Sequence, residues 1–280
     1  MSEPLIYIPT YQRKTLKTLE SMTGAKVLKH VALVVHPDDV VSYAGHVGAY
    51  GVRVIACPVQ GELGAVRRWL MENHKGDYQV QMDDDLKFAV RRTDDPTKFV
   101  PAGPDDIDEM FDRVFMLLGE VPLVGIRQRG GANRSTPPFE RCVRQCMFHA
   151  INVRVAKREG WVYKSSVFED FDYTLQVLTS GYENAVLTTH VIDQSESQAP
   201  GGVAGYRNND RMQRDALDLA MDYPDFVRIV AKKGWRGMEF RTDVNVQWKR
   251  AFASASDPTS ADLSLYEDLW WPESEESELI

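Results

Sequence analysis

Short hydrophobic runs alternate with longer amphipathic segments along most of the chain, and the two patterns predict strands and helices respectively. The predicted strands cover residues 5–9, 31–35, 52–56, 78–82, 146–153 and 185–188, with a further strand starting at residue 123. The predicted helices cover residues 15–22, 40–49, 61–73, 105–118 and 171–179, with a further helix starting at residue 155. Because strands alternate with helices of about ten residues, we predict an α/β fold with a mostly parallel central sheet flanked by helices.

The pattern changes after residue 200. The glycine-rich segment at residues 201–205 predicts a flexible joint, and two further helices are predicted at residues 210–221 and 224–233. Residues 253–280 are polar and acidic, with Trp270 and Trp271 as large apolar anchors. We therefore predict a main domain at residues 1–200, a helical extension at 201–252 and a partly mobile acidic tail at 253–280.

Composition narrows the class of protein. The 280 residues with 43% hydrophobic content suffice for one sizeable α/β domain with an extension. No run of eighteen apolar residues occurs and the first residues lack signal-peptide features, so we expect no membrane span and a cytoplasmic location. Three cysteines do not indicate a disulfide framework. Cys142, Cys146 and His149 would supply only three zinc ligands, so we favour a buried segment there.

Charge is unevenly distributed, although the net value is −8. Residues 251–280 hold eight acids and no Lys or Arg, whereas residues 127–158 hold eight basic residues and one acid. A basic segment within residues 1–250, whose charges sum to zero, is compatible with binding a polyanion. The acidic net charge of the whole chain gives no indication of such binding. The loop with Arg127, Arg129, Asn133 and Arg134 is therefore a candidate acceptor surface, with an ordinary surface loop as the alternative.

Three consecutive aspartates, Asp83, Asp84 and Asp85, follow the predicted strand at residues 78–82. Ligands of open α/β sheets bind at the carboxyl ends of the strands. In extended backbone Asp83 and Asp85 point the same way, and two carboxylates suit Mg²⁺ or Mn²⁺ together with phosphate oxygens. The motif predicts a metal site for a phosphorylated ligand, with a solvated acidic turn as the alternative.

Other polar residues follow the aspartates in a defined order. Glu169 and Asp170 stand at a predicted helix start, where acids are also common as caps. His190 follows a later predicted strand. The alternative to a functional role is a structural histidine whose ring is hydrogen-bonded to the backbone. The helix before the aspartates carries Arg67 and Arg68, and one of them is a candidate for contacting a nucleotide. The alternative is that both lie on a solvent-exposed face of the helix.

This order over residues 4–195 resembles that of the GT-A glycosyltransferases, metal-dependent enzymes that use nucleotide-sugar donors. The resemblance implies that Asp83 and Asp85 bind Mn²⁺ or Mg²⁺ and that His190 completes the metal shell. It implies Asp170 as the general base, with Glu169 as the nearby option. It also implies that the donor is held by the aspartates and by the loop after the first strand, through Pro9, Thr10, Tyr11, Arg13, Arg67, Asp83, Asp84 and Asp85.

Four segments, at residues 7–13, 81–85, 130–134 and 169–172, resemble phage DNA-modifying glycosyltransferases encoded beside TET-like dioxygenases. That resemblance implies transfer of a sugar from a UDP-sugar to 5-hydroxymethylcytosine or 5-hydroxymethyluracil in DNA. The sequence leaves the sugar, the stereochemistry, base flipping and the oligomeric state open. Transfer to a saccharide, lipid or protein hydroxyl is the alternative within the fold. A nucleotidyltransferase and a non-catalytic nucleotide- or DNA-binding module are the other readings.

Overall fold

The computed structural model describes residues 5–13, 15–59, 62–134, 138–164, 166–194, 208–234 and 239–270. The strands are β1 (Leu5–Pro9), β2 (Val31–Val35), β3 (Arg53–Ala56), β4 (Tyr78–Met82), β5 (Leu86–Arg91), β6 (Phe99–Pro101), β7 (Leu123–Gln128), β8 (Phe139–Arg141), β9 (Phe148–Asn152), β10 (Ala185–Gln194), β11 (Val227–Lys233) and β12 (Phe240–Val246). The α-helices are α1 (Lys17–Ser21), α2 (Val40–Val47), α3 (Leu63–Asn73), α4 (Pro104–Glu120), α5 (Val153–Glu159), α6 (Glu169–Thr179), α7 (Asn209–Asp222), α8 (Trp248–Ala253) and α9 (Ser264–Trp270).

One large mixed sheet organises the described residues, in the order β3-β2-β1-β4-β9-β7-β10-β5-β6, with β8 paired to β10. Strands β1 to β4 are mutually parallel, and β10 runs parallel to β7. Strand β9 lies antiparallel between β4 and β7. The predicted α/β class is confirmed, and parallel pairing of β1 with β4 brings their carboxyl ends side by side at one edge of the sheet.

Hydrophobic burial explains why the parallel strands form. All five residues of β2 are buried, as expected for a strand covered on both faces. Helix α4 turns an apolar stripe towards the sheet, and its buried residues are Ile107, Met110, Phe111, Val114, Leu117 and Leu118. No helix among the described residues is long and apolar enough to cross a membrane.

Strand β10 is longer and less regular than the sequence pattern predicts. It continues to Gln194, and its pairing with β7 shifts register between Leu187 and Val191. His190 therefore lies inside the strand, opposite Val90 of β5, and the prediction that it follows a strand end is wrong. Strands β5, β6 and β8 were also not predicted, because each is short or follows directly on a polar turn.

The extension contains a β-ribbon where a second helix was predicted. The prediction of a helix at residues 224–233 is wrong, because Val227–Lys233 forms β11 and pairs antiparallel with β12. Val227, Val244 and Val246 are buried in one cluster with Met212 and Leu219 of α7. This apolar face of the ribbon exists only when two segments of the chain meet, which a single-segment pattern does not reveal. The predicted joint at residues 201–205 lies outside the described residues.

The first part of the acidic tail packs on the main sheet. Leu263 is buried, and the Trp270 ring meets Phe139 edge-on at 6.4 Å between centroids. The guanidinium of Arg113 lies 5.2 Å from the centre of the Trp270 ring. Trp271 and the residues after it lie outside the described residues.

Candidate active site

The three aspartates occupy a turn between β4 and β5, and arginines contact all three carboxylates. Arg67 Nη2 donates to Asp83 Oδ1 at 2.9 Å. Arg13 lies 3.4 Å from an oxygen of Asp84 and 3.3 Å from an oxygen of Asp85. Because the chain turns after Asp83, the expected extended alternation of Asp83 and Asp85 is not seen. Asp84 and Asp85 nevertheless remain close enough to raise the pKa of Asp83.

Helix α1 holds the aspartate turn through backbone contacts. Thr18 Oγ1 donates to the carbonyl oxygen of Asp83 at 2.7 Å and accepts from the Leu86 N–H at 2.9 Å. The Thr18 N–H donates to the carbonyl oxygen of Asp84 at 3.1 Å. The turn therefore has a fixed conformation, which suits carboxylates that must face one ligand.

The loop after β1 reaches the same turn. Thr10 Oγ1 donates to Asp84, and the side chain of Tyr11 is exposed. Gln12 has φ 54°, a left-handed conformation that is uncommon for a residue other than glycine. Tyr43 fixes Arg13 beyond it, because its hydroxyl accepts from the Arg13 N–H at 2.9 Å and donates to the Arg13 carbonyl at 3.0 Å. Pro9 ends β1, and of the four predicted donor residues of this loop Thr10 and Arg13 contact the aspartates.

Arg67 is buried at the centre of the site. Its side chain is 2% exposed, and its Nε lies 3.9 Å from Glu169 Oε1. The alternative of a solvated helical face is wrong for Arg67, although Arg68 is exposed. Helix α3 can approach this closely because residue 64 is glycine: a Cβ there would lie 2.1 Å from the Lys164 carbonyl oxygen. Arg67 thus links the aspartate turn to the start of α6.

Asp170 is held by Arg144, which no sequence motif marks. Arg144 donates to Asp170 Oδ2 from Nη2 at 2.7 Å and from Nε at 3.1 Å. The Arg144 guanidinium also lies 3.9 Å from the centre of the Phe171 ring, which restricts its position. Asp170 is 7% exposed and stands in the first turn of α6. The ion pair orients the carboxylate and keeps its oxygens beside a positive charge.

The segment at residues 142–147 forms the wall between the aspartates and Asp170. The Phe148 N–H donates to the Cys146 carbonyl at 2.7 Å, and Met147 between them has φ 62°, which describes a strained γ-turn. The Asp83 N–H donates to the Met147 carbonyl at 2.9 Å. No glycine marks this turn, so the sequence carries no signal for it.

The Cys146 thiol lies among charged groups of the site. Burial raises its pKa to about 11, with the Asp170 and Asp83 carboxylates raising it further and the Arg144 and Arg127 cations opposing them. Its neighbours therefore come from both halves of the site. In the described residues Cys142, Cys146 and His149 form no shared ligand set, since the His149 ring is hydrogen-bonded to Tyr163 Oη at 2.8 Å.

Burial determines the electrostatics of the aspartates. It raises the pKa of Asp83 to about 7, and Arg67 only partly offsets the effect while Asp85 and Asp84 add to it. It raises the pKa of Asp84 to about 6 against the hydrogen bond from Thr10 and the charge of Arg13. Burial and the repulsion between neighbouring carboxylates both favour the protonated forms. A further cation would relieve this repulsion.

The residues present fit a hard divalent cation. Asp83 and Asp85 offer carboxylate oxygens, and the carboxamide of Gln194, whose nitrogen donates to Asp85 Oδ2 at 3.0 Å, ends β10 beside them. Such oxygen donors suit Mg²⁺ or Mn²⁺, which complete their shells with water and phosphate. Over the described ranges, no three His, Cys, Asp or Glu side chains surround one point. The cation would therefore depend on its ligand for further donors.

His190 is not brought to the aspartates. It lies four residues before Gln194 in β10, about 13 Å along an extended strand. Its ring is buried against α4, and this burial lowers its pKa to about 3, with the charge of Arg113 adding to the effect. Gln194, not His190, occupies the strand end beside Asp85.

The predicted acceptor residues lie at the end of β7 and in the segment after it, at the same edge of the sheet. Arg127 lies 3.3 Å from Glu140 and is close enough to Cys146 to lower the pKa of its thiol. Arg129, Asn133 and Arg134 are exposed in the segment beyond it. The structure thus places Arg127 at the site and the other three on the adjoining surface.

A family model for the TET-associated glycosyltransferases matches residues 5–202. The chain belongs to the TET-associated glycosyltransferase family. The matched range contains the β1 loop, the aspartate turn, the residue 142–147 wall and the start of α6. The resemblance drawn from the sequence motifs is therefore confirmed at the level of the family.

Solved structures support the fold of this TET-associated glycosyltransferase. Residues 1–349 of TarS from S. aureus superpose with a TM-score of 0.50 at 11% identity, covering 78% of this chain and 65% of that one. A mannosyltransferase from Pyrobaculum calidifontis in complex with GDP-Man and Mn²⁺ gives 0.50 at 14% identity, covering 80% and 66%. A mycobacterial protein gives 0.50 at 14% identity, covering 88% and 84%. No curated protein matches the sequence.

Proposed function

We propose that this protein transfers a sugar from a UDP-sugar to the hydroxyl of 5-hydroxymethylcytosine or 5-hydroxymethyluracil in DNA, with Mn²⁺ or Mg²⁺ at Asp83 and Asp85. The observation that carries the proposal is the position of Arg67, which contacts both Asp83 of the aspartate turn and Glu169 beside Asp170. A donor site and a candidate base thus share one buried arginine. The family match supplies the class of reaction.

The donor half would bind a nucleoside diphosphate through the β1 loop and the aspartate turn. Thr10, Tyr11 and Arg13 line the loop, and Arg13 carries the charge that would face the phosphates. The cation, when bound, offsets the negative charge that develops on the departing diphosphate. Arg67 favours the ionised form of Asp83 against the effect of burial and holds its carboxylate through a hydrogen bond. The GDP-Man and Mn²⁺ of the mannosyltransferase are in keeping with this chemistry.

The acceptor half would activate a hydroxyl. In an inverting transfer the hydroxyl oxygen attacks the anomeric carbon, the bond from that carbon to the diphosphate breaks, and Asp170 takes the hydroxyl proton. Arg144 holds Asp170 in one orientation through two hydrogen bonds. Glu169, paired with Arg67, is the second candidate for this role.

The acceptor surface would be the basic segment after β7. Arg127, Arg129, Asn133 and Arg134 offer donors of the kind that contact DNA phosphates. A 5-hydroxymethyl group projects into the major groove, so the enzyme would either reach it there or flip the nucleotide out. Arg127 is the residue of this group closest to the Cys146 wall.

Nucleoside mass spectrometry tests the proposal. The protein is incubated with Mn²⁺, a mixture of UDP-sugars and DNA containing cytosine, 5-hydroxymethylcytosine or 5-hydroxymethyluracil, and the digested nucleosides are weighed. A hexose or pentose mass on a hydroxymethylated base alone is expected. Asp85→Asn should abolish the product, whereas Asp38→Asn, at an aspartate whose side chain is 88% exposed, should not. UDP-sugar hydrolysis without any modified nucleoside would overturn the DNA acceptor.

A further inference from the structure

The β11–β12 ribbon has two chemically different faces. Its seven cross-strand pairs run from Val227 opposite Val246 to Lys233 opposite Phe240. Because side chains alternate along a strand, Val227 and Val244 share the face that is buried against α7. The opposite face is therefore turned away from α7.

That outer face is basic. Arg228, Lys232 and Arg241 lie on it, since Arg228 and Lys232 alternate along β11 and Arg241 is the cross-strand partner of Lys232. Asp243 is the acid among them, 3.1 Å from Lys232 Nζ and 3.2 Å from Arg241 Nη2. Arg228 is exposed and donates to the carbonyl oxygens of Pro224 and Val227. Three cations facing one carboxylate leave this face positive.

The positive charge extends beyond the ribbon. Residues 227–250 hold seven basic and two acidic residues, a net +5 in a chain of net −8. Lys233 and Lys249 are exposed and have no ion-pair partner among the residues that the structure describes. Lys249 lies close enough to Cys142 to lower the pKa of its thiol, so the basic surface reaches the wall of the candidate active site.

The ribbon is tied to the element that carries Asp170. Val244 and Val246 of β12 belong to one buried cluster with Phe168 and Phe171, which flank Asp170 at the start of α6. A partner bound on the ribbon therefore has a defined position relative to that carboxylate. The major groove of duplex DNA admits a two-stranded ribbon, and seven residues of extended strand span about 20 Å along it.

We propose that the outer face of the β11–β12 ribbon, with Arg228, Lys232 and Arg241, binds duplex DNA at the phosphates that border the major groove. The inference rests on the proposed function, because it assigns a surface for the DNA acceptor. It adds a second contact region to the segment after β7. The ribbon supplies affinity for any duplex, while the site around Asp170 selects the modified base.

Salt-dependent binding to an unmodified duplex tests the ribbon without using the transfer reaction. Fluorescence anisotropy is measured with a labelled 20-base-pair duplex over a range of KCl concentrations, for wild type and for Arg228→Glu/Lys232→Glu. The variant is expected to lose at least tenfold in affinity, with the slope of log K against log[KCl] shallower by about 2 because about two phosphate contacts are lost. Lys232→Glu alone, at a side chain that is 51% exposed, should give about half the change in slope.

A matched variant separates a local contact from a change in net charge. Lys29→Glu/Lys75→Glu reverses two exposed lysines that precede β2 and β4, at the opposite edge of the sheet. Equal losses in both double variants, or an unchanged affinity in the ribbon variant, would overturn the ribbon as a DNA surface.

Kinetics distinguish this inference from the proposed function. With a hydroxymethylated duplex the ribbon variant should raise KM for DNA at least tenfold and keep kcat at saturating DNA. An unchanged KM in an active variant would reject the ribbon alone. If wild type modifies no hydroxymethylated DNA, the proposed function fails, and the anisotropy result still decides whether the ribbon binds duplex.

Discussion

Arg13 occupies the position that a divalent cation would need beside the aspartates. Its guanidinium lies within 3.4 Å of Asp84 and 3.3 Å of Asp85, and its backbone is fixed by Tyr43. A cation and Arg13 would therefore compete for the same carboxylate oxygens until a diphosphate offers Arg13 a new partner. Under the proposed function, Arg13 would be a counter-ion for the aspartates in the free protein and a phosphate ligand once the donor is bound.

Replacing Arg13 should strengthen cation binding to the free protein. In Arg13→Gln the affinity for Mn²⁺, measured by electron paramagnetic resonance without nucleotide, is expected to rise about tenfold, as for loss of a competing charged hydrogen bond. Affinity for UDP in the presence of Mn²⁺ should fall in the same variant. Arg68→Gln, at the exposed neighbour of Arg67, should change neither quantity. Weaker Mn²⁺ binding in Arg13→Gln would show that the arginine does not compete.

The two candidate bases can be separated by single substitutions. Asp170→Asn removes the proton acceptor and keeps the hydrogen bonds from Arg144 sterically possible, so kcat should fall by about 10²-fold or more. Glu169→Gln weakens an ion pair at 3.9 Å and should lower kcat much less. Rates of transfer to hydroxymethylated DNA, with UDP-sugar affinity measured in parallel, decide between them. A larger loss in Glu169→Gln would assign the base to Glu169.

Much of the candidate site could be predicted from single residues, because charge at a strand end has few structural explanations. Asp83, Arg67 and Asp170 all meet in the folded protein as the sequence order suggested. Arg144 and Gln194 could not be predicted, since each acquires its role only through a contact with a residue distant in the chain. For His190 the pattern was misleading, because an irregular strand moved it away from the sheet edge.

At the scale of elements, helix α3 depends on one close backbone contact. A Cβ on Gly64 would lie 2.1 Å from the Lys164 carbonyl and 3.3 Å from Glu169 Cβ, so Gly64→Ala must push α3 away from the segment before α6. We expect a loss of about 1–3 kcal/mol in the free energy of unfolding, as for other overpacked sites. Donor affinity should also fall, because Arg67 moves with α3.

Denaturant unfolding of a paired variant checks this expectation. Gly45 lies in α2, and nothing lies within 4 Å of a Cβ placed there. Gly45→Ala should therefore gain about 0.5–1 kcal/mol from the higher helix propensity of alanine. Equal effects of the two substitutions would mean that α3 is not tightly packed on residue 164.

The elements differ in how far local pattern determines them. The strands β1 to β4 could be predicted because a parallel sheet buries both faces and leaves continuous hydrophobic runs. The segment that became β11 could not, because the spacing of Phe226, Val227 and Val230 fits one face of a helix, whereas in the ribbon Val227 and Val230 lie on opposite faces. Pairing with β12, more than ten residues later, decides the outcome. Local periodicity contains no information about that partner.

At the scale of the molecule, one mixed sheet brings together residues that the chain separates widely. The loop after β1, the turn after β4, the wall before β9 and the end of β10 all lie at or beside the same edge. The start of α6 joins them through Arg67. The same sheet also buries polar groups, and two of these are histidines.

Buried histidines should make the fold sensitive to acid. His190 lies beside Arg113 and the Asp106 backbone of α4, and burial lowers its pKa to about 3. Burial also lowers the pKa of His149, well below its usual value, with Arg67 and Arg144 adding to the effect. For each, the unfolded chain binds a proton near pH 6.5 that the folded protein does not, so stability is fully present above pH 6.5 and falls as pH decreases.

The contribution of His190 to this loss can be measured. Lowering the pH from 7 to 5 should cost about 2 kcal/mol of unfolding free energy through His190, because the unfolded state gains its proton over this range and the folded state does not. In His190→Gln the stability at pH 7 can differ from wild type, but its decrease between pH 7 and 5 should be smaller by about that amount. His46→Gln, at an exposed histidine, should keep the wild-type decrease. Urea unfolding at several pH values measures each slope, and an unchanged slope in His190→Gln would mean that the folded protein protonates His190 readily.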